Sequence, residues 1–225
     1  MKNNPAPSEV FQSEVTIPLN DGSDARVSAF LNVPADARSI VAFAHGSGSS
    51  RHSSRNQFVA RMLNEGGFAT LLLDLLTPEE ERVDIQTREH RFNIALLADR
   101  MTQAVDWLKS SSEVGDYSVG TFGASTGAAA ALIAATQRPA DVKAVVSRGG
   151  RPDLAGLMLA KVQAPTLLIV GSEDREVIAL NEEAQSQLEC RNELRLIPSA
   201  THLFSEPGTL EAAAEAARDW FAEYL

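Results

Sequence analysis

Short apolar runs alternate along this chain with longer amphipathic or polar stretches, the pattern expected of a parallel sheet with helices on both faces. The segments "EVTIPL" and "RVSAFLNV" flank Asp21-Gly22, a turn signal, and predict an antiparallel opening pair of strands. The strand "SIVAFAH" then leads to a helix over about 56–64, "FATLLLDLL" to a helix over about 92–109, and "YSVGTF" to a helix over 125–136. Further on the pattern predicts a strand "VKAVVS", a short helix "DLAGLML", a strand "PTLLIV", a helix over 177–188, a strand "LRLIP" and a final helix over 210–224. That makes eight strands. Almost unbroken Val, Ile and Leu in the middle strands implies burial on both faces, as in a doubly wound α/β sheet. The most polar segment, "TPEEERVDIQTREHR", follows the fourth strand at the C-terminal edge of the sheet, where such proteins bind ligands. Thr77–Arg91 is too short for a large lid domain but long enough to wall one side of a pocket.

A chain of 225 residues suits one domain, 1–225, with residues 1–13 expected to be loosely ordered. Hydrophobic residues at 44% and charged residues at 22% are those of an ordinary soluble globular protein. The start, "MKNNPAPSEV", lacks the apolar core of a secretory signal, and no apolar run approaches the roughly 18 residues of a spanning helix. A cytoplasmic protein without a membrane partner is expected. The single cysteine, Cys190, excludes an internal disulfide and gives no metal cluster, so it reads as an ordinary thiol, and neither metal nor cofactor is expected. A formal net charge of −10 disfavours nucleic acid and anionic lipid as partners. Any anionic ligand must be held by a local basic cluster.

The stretch "YSVGTFGASTGAAAALIAA" raises a specific chemistry. Gly123-Ala124-Ser125-Thr126-Gly127 joins a strand to an Ala-rich helix, and a nucleophile elbow needs that arrangement: a serine in a strained conformation, flanked by residues small enough for strand and helix to approach. A serine hydroxyl is a poor nucleophile at neutral pH, so a histidine base and an orienting carboxylate must follow, in the order serine, acid, histidine. "PTLLIVGSEDREV" offers Asp174 beyond the seventh strand, with Glu173 as its neighbour, although either carboxylate also suits a helix cap. "LRLIPSATHLFSEPG" offers His202, the histidine downstream of the acid. Two backbone N–H groups must face the developing oxyanion. Thr126 supplies one, and Ser47, in the small-residue loop "HGSGSS" after the third strand, supplies the other. His45 is expected to brace this loop by hydrogen bonding rather than to transfer protons.

With "HGSGSS", "GASTG", "GSED" and "THLF" in this order, the sequence resembles an α/β-hydrolase, and is most similar to the dienelactone-hydrolase-like group of small hydrolases. The resemblance runs from about Val15 to the C-terminus. It implies the α/β-hydrolase fold, a Ser125–Asp174–His202 triad and hydrolysis through an acyl-enzyme. Dienelactone hydrolases carry a cysteine nucleophile, whereas this elbow has Ser125, which favours a small-molecule carboxylic ester or related acyl compound as substrate.

Arg148 and Arg151 follow the sixth strand in "VVSRGGRPDLAG", on the side where the triad is expected, and are candidates for holding a substrate carboxylate or phosphate. Pairing with Asp153 or the "PEEE" run is the structural alternative. Arg51 and Arg55, near the oxyanion loop, are expected to be solvated. The same triad also serves thioesterases, peptidases and acyltransferases, and outside that class two rival readings remain. A dinucleotide-binding turn at Gly123-x-x-x-Gly127 fails on position, because such turns belong to the first βα unit. A non-catalytic binding protein on a hydrolase fold is the other, since fold does not dictate function.

Overall fold

In the computed structural model, which describes residues 10–20, 22 and 24–225, the apolar runs become one eight-stranded sheet. In chain order the elements are β1 (Val10–Pro18), β2 (Arg26–Pro34), β3 (Ser39–Ala44), α1 (Ser54–Glu65), β4 (Ala69–Leu73), α2 (Pro78–Thr87), α3 (Ile94–Ser110) and β5 (Ser118–Ala124). There follow α4 (Gly127–Gln137), β6 (Val142–Arg148), a 3₁₀ segment (Pro152–Lys161), β7 (Thr166–Gly171), α5 (Arg175–Gln187), β8 (Asn192–Ile197) and α6 (Thr209–Tyr224). The spatial order is β1-β2-β4-β3-β5-β6-β7-β8. β1 pairs antiparallel with β2 and β2 with β4; every pair from β4 to β8 is parallel. The expected opening pair is therefore present, with Pro18 opposite Arg26, although Asp21 of its turn lies outside the described residues. β1 begins at Val10, so residues 10–13 of the segment expected to be loosely ordered are strand, tied down by pairing with β2; residues 1–9 lie outside the described residues.

The central strands are apolar throughout because both faces are covered. Along β3, Ile40, Ala42 and Ala44 pack into one core with Leu97, Met101 and Leu108 of α3 and the alanines of α4. Val41 and Phe43 point the other way, into a second core with Val59 and Leu63 of α1 and Ala217 and Phe221 of α6. Among the described residues the sheet carries no separate lid domain. No helix among the described residues is long and apolar enough to cross a membrane.

One helix was not expected. α2 occupies the polar run after β4, and it is opened by Thr77 in a capping box: the Thr77 hydroxyl accepts from the Glu80 N–H, and the Glu80 carboxylate accepts from the Thr77 N–H. Pro78 stands in its first turn. Asp84 is its one buried residue, so the helix shows almost no apolar periodicity.

Candidate active site

β5 delivers Ser125 to the C-terminal edge of the sheet in a left-handed backbone conformation, φ +51°. Such a conformation costs a non-glycine residue about 1–2 kcal/mol and must be held by its surroundings. The Ser125 carbonyl accepts from the N–H groups of Ala128 at 3.1 Å and Arg151 at 3.0 Å, which fixes the bend from both sides. The flanking glycines permit the close approach: a Cβ on Gly123 would overlap the backbone of Ala128, and one on Gly127 would overlap the carbonyls of Ala44 and His45. The predicted helix at Ser125 begins at Gly127, since Ser125 and Thr126 form the turn itself.

Asp174 and His202 meet. The His202 Nδ1–H donates to Asp174 Oδ2 at 2.7 Å. Asp174 stands at the N-cap of α5 but makes no capping bond with its side chain, whereas Glu173 is exposed and accepts from the Ser172 hydroxyl. Gly171 at the end of β7 lies so close to the Ala200 carbonyl that a Cβ would overlap it, and this contact brings the two loops together. The histidine loop is held further by Glu206, which accepts from the N–H and hydroxyl of Thr201 at 3.1 and 2.6 Å, and by buried Phe204, itself at φ +53°. Ser125, His202 and Leu203 line one cleft of about 230 Å³, together with Gly46, Ser47, Ser49, Arg55 and Arg148.

Opposite the elbow runs the loop after β3. Its Gly46 passes against Ser125, where a Cβ would stand 3.0 Å from the serine's own Cβ. Neither the Ser47 N–H nor the Thr126 N–H donates to any acceptor among the described residues. The loop is braced from below by His45. Leu75 N–H, which can only donate, reaches His45 Nε2 at 3.1 Å, so the proton sits on Nδ1 and is donated to the Gly46 carbonyl at 2.9 Å. Burial pushes the His45 pKa down, despite the Gly46 bond and the charge of Asp74. This neutral, doubly bonded ring braces the loop.

Behind the same loop sits the polar segment, and here the structure corrects the expectation. Thr77–Arg91 is absent from the lining of the Ser125 cleft; Glu81 and Arg91 line a small adjoining space that shares Gly46, Ser47 and Ser49 with it, together with His45, Gly48 and Leu75. Asp84 gathers the segment, accepting from the His90 and Arg91 N–H groups at 2.9 and 2.8 Å and from Arg91 Nε at 2.6 Å. Burial opposes its ionisation, but the Arg91 and His90 donors together hold its carboxyl below the ordinary value. Nothing in the spacing of "TPEEERVDIQTREHR" announced this clamp, although Thr77-x-x-Glu80 with Pro78 was a helix-start signature.

The two candidate arginines part company. Arg151 turns back to Asp153 with both Nε and Nη2, at 2.9 and 2.8 Å, and is not part of the cleft lining, so its expected substrate role gives way to the structural alternative. Arg148 is buried at the cleft wall and pairs with no carboxylate among the described residues. Arg51, expected to be solvated, is tied to Asp74 and Glu14 and stacks on Phe30, while Arg55, also expected to be solvated, lines the cleft. Asn56 and Ser53 of the cleft carried no sequence signal, because their place depends on how α1 docks. Among the described residues no group of three His, Cys, Asp or Glu side chains converges to hold a metal ion.

A mostly parallel eight-stranded sheet with a serine elbow after β5, a carboxylate after β7 and a histidine after β8 defines an α/β-hydrolase. Comparison with known proteins narrows the class: the Dienelactone hydrolase family matches residues 27–225, and the chain belongs to that family. A crystal structure of a dienelactone hydrolase from Anabaena variabilis is 52% identical, with a TM-score of 0.94 over 96% of this chain and 99% of that one. A protein of Mycobacterium tuberculosis with the provisional name of phosphoribosyl transferase is 55% identical over 199 residues, 88% of this chain but 44% of that protein. The chain thus spans less than half the length of that curated relative. Est1E from Butyrivibrio proteoclasticus, 18% identical, shares the fold, with a TM-score of 0.75 over 93% of this chain and 98% of that one.

Proposed function

We propose that this chain is a serine hydrolase that cleaves small carboxylic esters or related acyl compounds through an acyl-enzyme on Ser125. The observation that carries the reading is Ser125, held at positive φ in the same cleft as a histidine whose Nδ1–H is committed to Asp174. That bond leaves His202 Nε2 as the base. It takes the Ser125 proton as Oγ attacks the acyl carbon, and returns it to the leaving oxygen when the acyl–oxygen bond breaks. Asp174 holds the tautomer and stabilises the imidazolium. The Ser47 and Thr126 N–H groups receive the negative charge of the tetrahedral oxyanion. Water, deprotonated by His202, then releases the acid and restores Ser125.

Esterase names among the structural neighbours and the hydrolase family name support ester cleavage, and a serine in place of the cysteine of dienelactone hydrolases supports substrates other than dienelactone. The transferase name of the longer relative stays with that protein. An active-site-directed fluorophosphonate tests the reading: it should modify Ser125, located by mass spectrometry, in a protein that also turns over an activated ester. Unchanged labelling of Ser125→Ala, or an adduct on another residue, would refute it.

A further inference from the structure

Arg148 carries a charge that the fold leaves unanswered. It is 7% exposed. Its Nη2 donates to Asn56 Oδ1 at 3.3 Å, a long bond to a neutral acceptor, and its Nη1 is buried without any partner. Elsewhere Arg51, Arg91, Arg138, Arg151 and Arg195 each pair with a carboxylate. Arg148 has only the rings of Phe122 and Phe204, each centred 5.8 Å from its guanidinium carbon. Burial, and after it the charge of Arg55, lower its pKa to about 10, so it stays cationic at neutral pH. Burying an unpaired charge beside a like charge is unfavourable unless an anion completes the set.

Arg55, half-buried, also lacks a carboxylate partner among the described residues. It sits in the first turn of α1, where the helix dipole repels a cation, and that turn holds no acidic residue. Ser53 and Asn56, at the start of the same helix, line the cleft with both arginines. Two guanidinium groups, the Ser53 hydroxyl and the Asn56 amide make a donor set without an acceptor of matching charge. Two positive charges match a phosphate monoester, which carries about −1.5 to −2 at pH 7 and three acceptor oxygens, better than they match a singly charged carboxylate.

We propose that Arg148 and Arg55, with Ser53 and Asn56, bind the phosphate group of a phosphorylated acyl substrate whose scissile ester lies at Ser125. The proposal rests on the serine-hydrolase reading for the place of the ester bond but not for the binding of phosphate. The cleft, about 230 Å³ and open to solvent, has room for a phosphate and a short acyl chain.

The probe is inorganic phosphate, titrated calorimetrically into Ser125→Ala, and into the same protein carrying Arg148→Met or Arg55→Gln. Phosphate should bind the parent, and each arginine change should weaken binding by at least tenfold. Phosphate should also compete with a neutral ester in wild type, with an inhibition constant matching the calorimetric one. No binding to the parent, or binding to both arginine variants as tight as to the parent, would overturn the proposal and leave Arg148 a structural cation. Acetate at equal ionic strength binding as tightly as phosphate would overturn it too. Arg55 is half-buried at the helix start, so Arg55→Gln decides the matter should Arg148→Met fail to fold. Phosphate binding in a protein that neither hydrolyses esters nor reacts with a fluorophosphonate would sink the hydrolase reading and leave the phosphate site standing.

Discussion

Ser125 holds an unfavourable φ with a hydroxyl that makes no hydrogen bond within the described chain, so its conformation and its chemistry are separable. Ser125→Gly should abolish turnover yet raise stability by about 1 kcal/mol, because glycine adopts φ +51° without the Cβ clash. In a chain of this size that is an increase in Tm of about 2–4 °C in a thermal melt; a lower Tm would mean the bend is not strained. Asp174→Asn should reduce kcat by about 10⁴-fold, as loss of the orienting carboxylate does in known triads. Glu173→Gln should stay close to wild type, since its carboxylate lies away from His202. The opposite ranking in steady-state kinetics would transfer the role to Glu173. His45 gives a pH signature. Its native pKa lies below the ordinary value of 6.5, so in acid the unfolded chain takes up a proton that the native one does not. The stability due to neutral His45 is complete above pH 6.5 and drains away as pH falls below it. Melting temperatures of wild type should therefore fall more steeply below that pH than those of His45→Gln, which is less stable at neutral pH but lacks the titration. Parallel slopes would count against the buried neutral ring.

Among the elements, the strand–turn–helix at β5–α4 was legible because its requirement is local: an apolar strand, small residues at the bend and a helix-forming alanine run. α2 was legible only at its Thr77-x-x-Glu80 start, since a helix that buries only Asp84 has no apolar stripe to carry the signal further. Helix starts shifted by about two residues for a related reason, as caps depend on backbone geometry that composition does not report. The tight contact at the elbow makes its own prediction. Gly127→Ala places a methyl group on the carbonyls of Ala44 and His45, backbone that cannot rotate away, and should destabilise by about 1–3 kcal/mol. Because the displaced strand end leads into the loop that carries Ser47, kcat should fall as well. Urea unfolding and kinetics on one preparation would check both, and a fully active Gly127→Ala would show that the contact relaxes freely.

For the whole molecule, the two cores on opposite faces of the sheet make each layer dependent on the same strands. Phe221, fully buried between α6 and the sheet, touches the space beside Gly120 of β5, where a Cβ would approach its ring at 2.7 Å. Phe221→Ala should cost about 3–5 kcal/mol and lower the Tm while unfolding remains a single transition. Two separated transitions would show that the layers unfold independently. Eight of the sixteen arginines pair with a neighbouring carboxylate among the described residues, whereas Arg148 and Arg55, with no such partner, stand together in the cleft.

The sequence by itself determined what depends on short-range pattern: eight strands from apolar runs, the elbow from Gly-x-Ser-x-Gly between strand and helix, and the order of serine, acid and histidine along the chain. Tertiary structure decided what depends on the docking of distant segments. Whether Asp174 caps a helix or holds His202, whether Arg151 faces Asp153 or the cleft, and whether Arg55 is solvated are choices between contacts of similar chemistry, and only the packed geometry ranks them. Side-chain direction at a strand end is set by neighbouring strands and loops, which no local window contains. For that reason Arg148 and Arg151, alike in sequence and three residues apart, ended in opposite environments: one neutralised beside its own loop, the other buried, charged and unpaired next to Ser125.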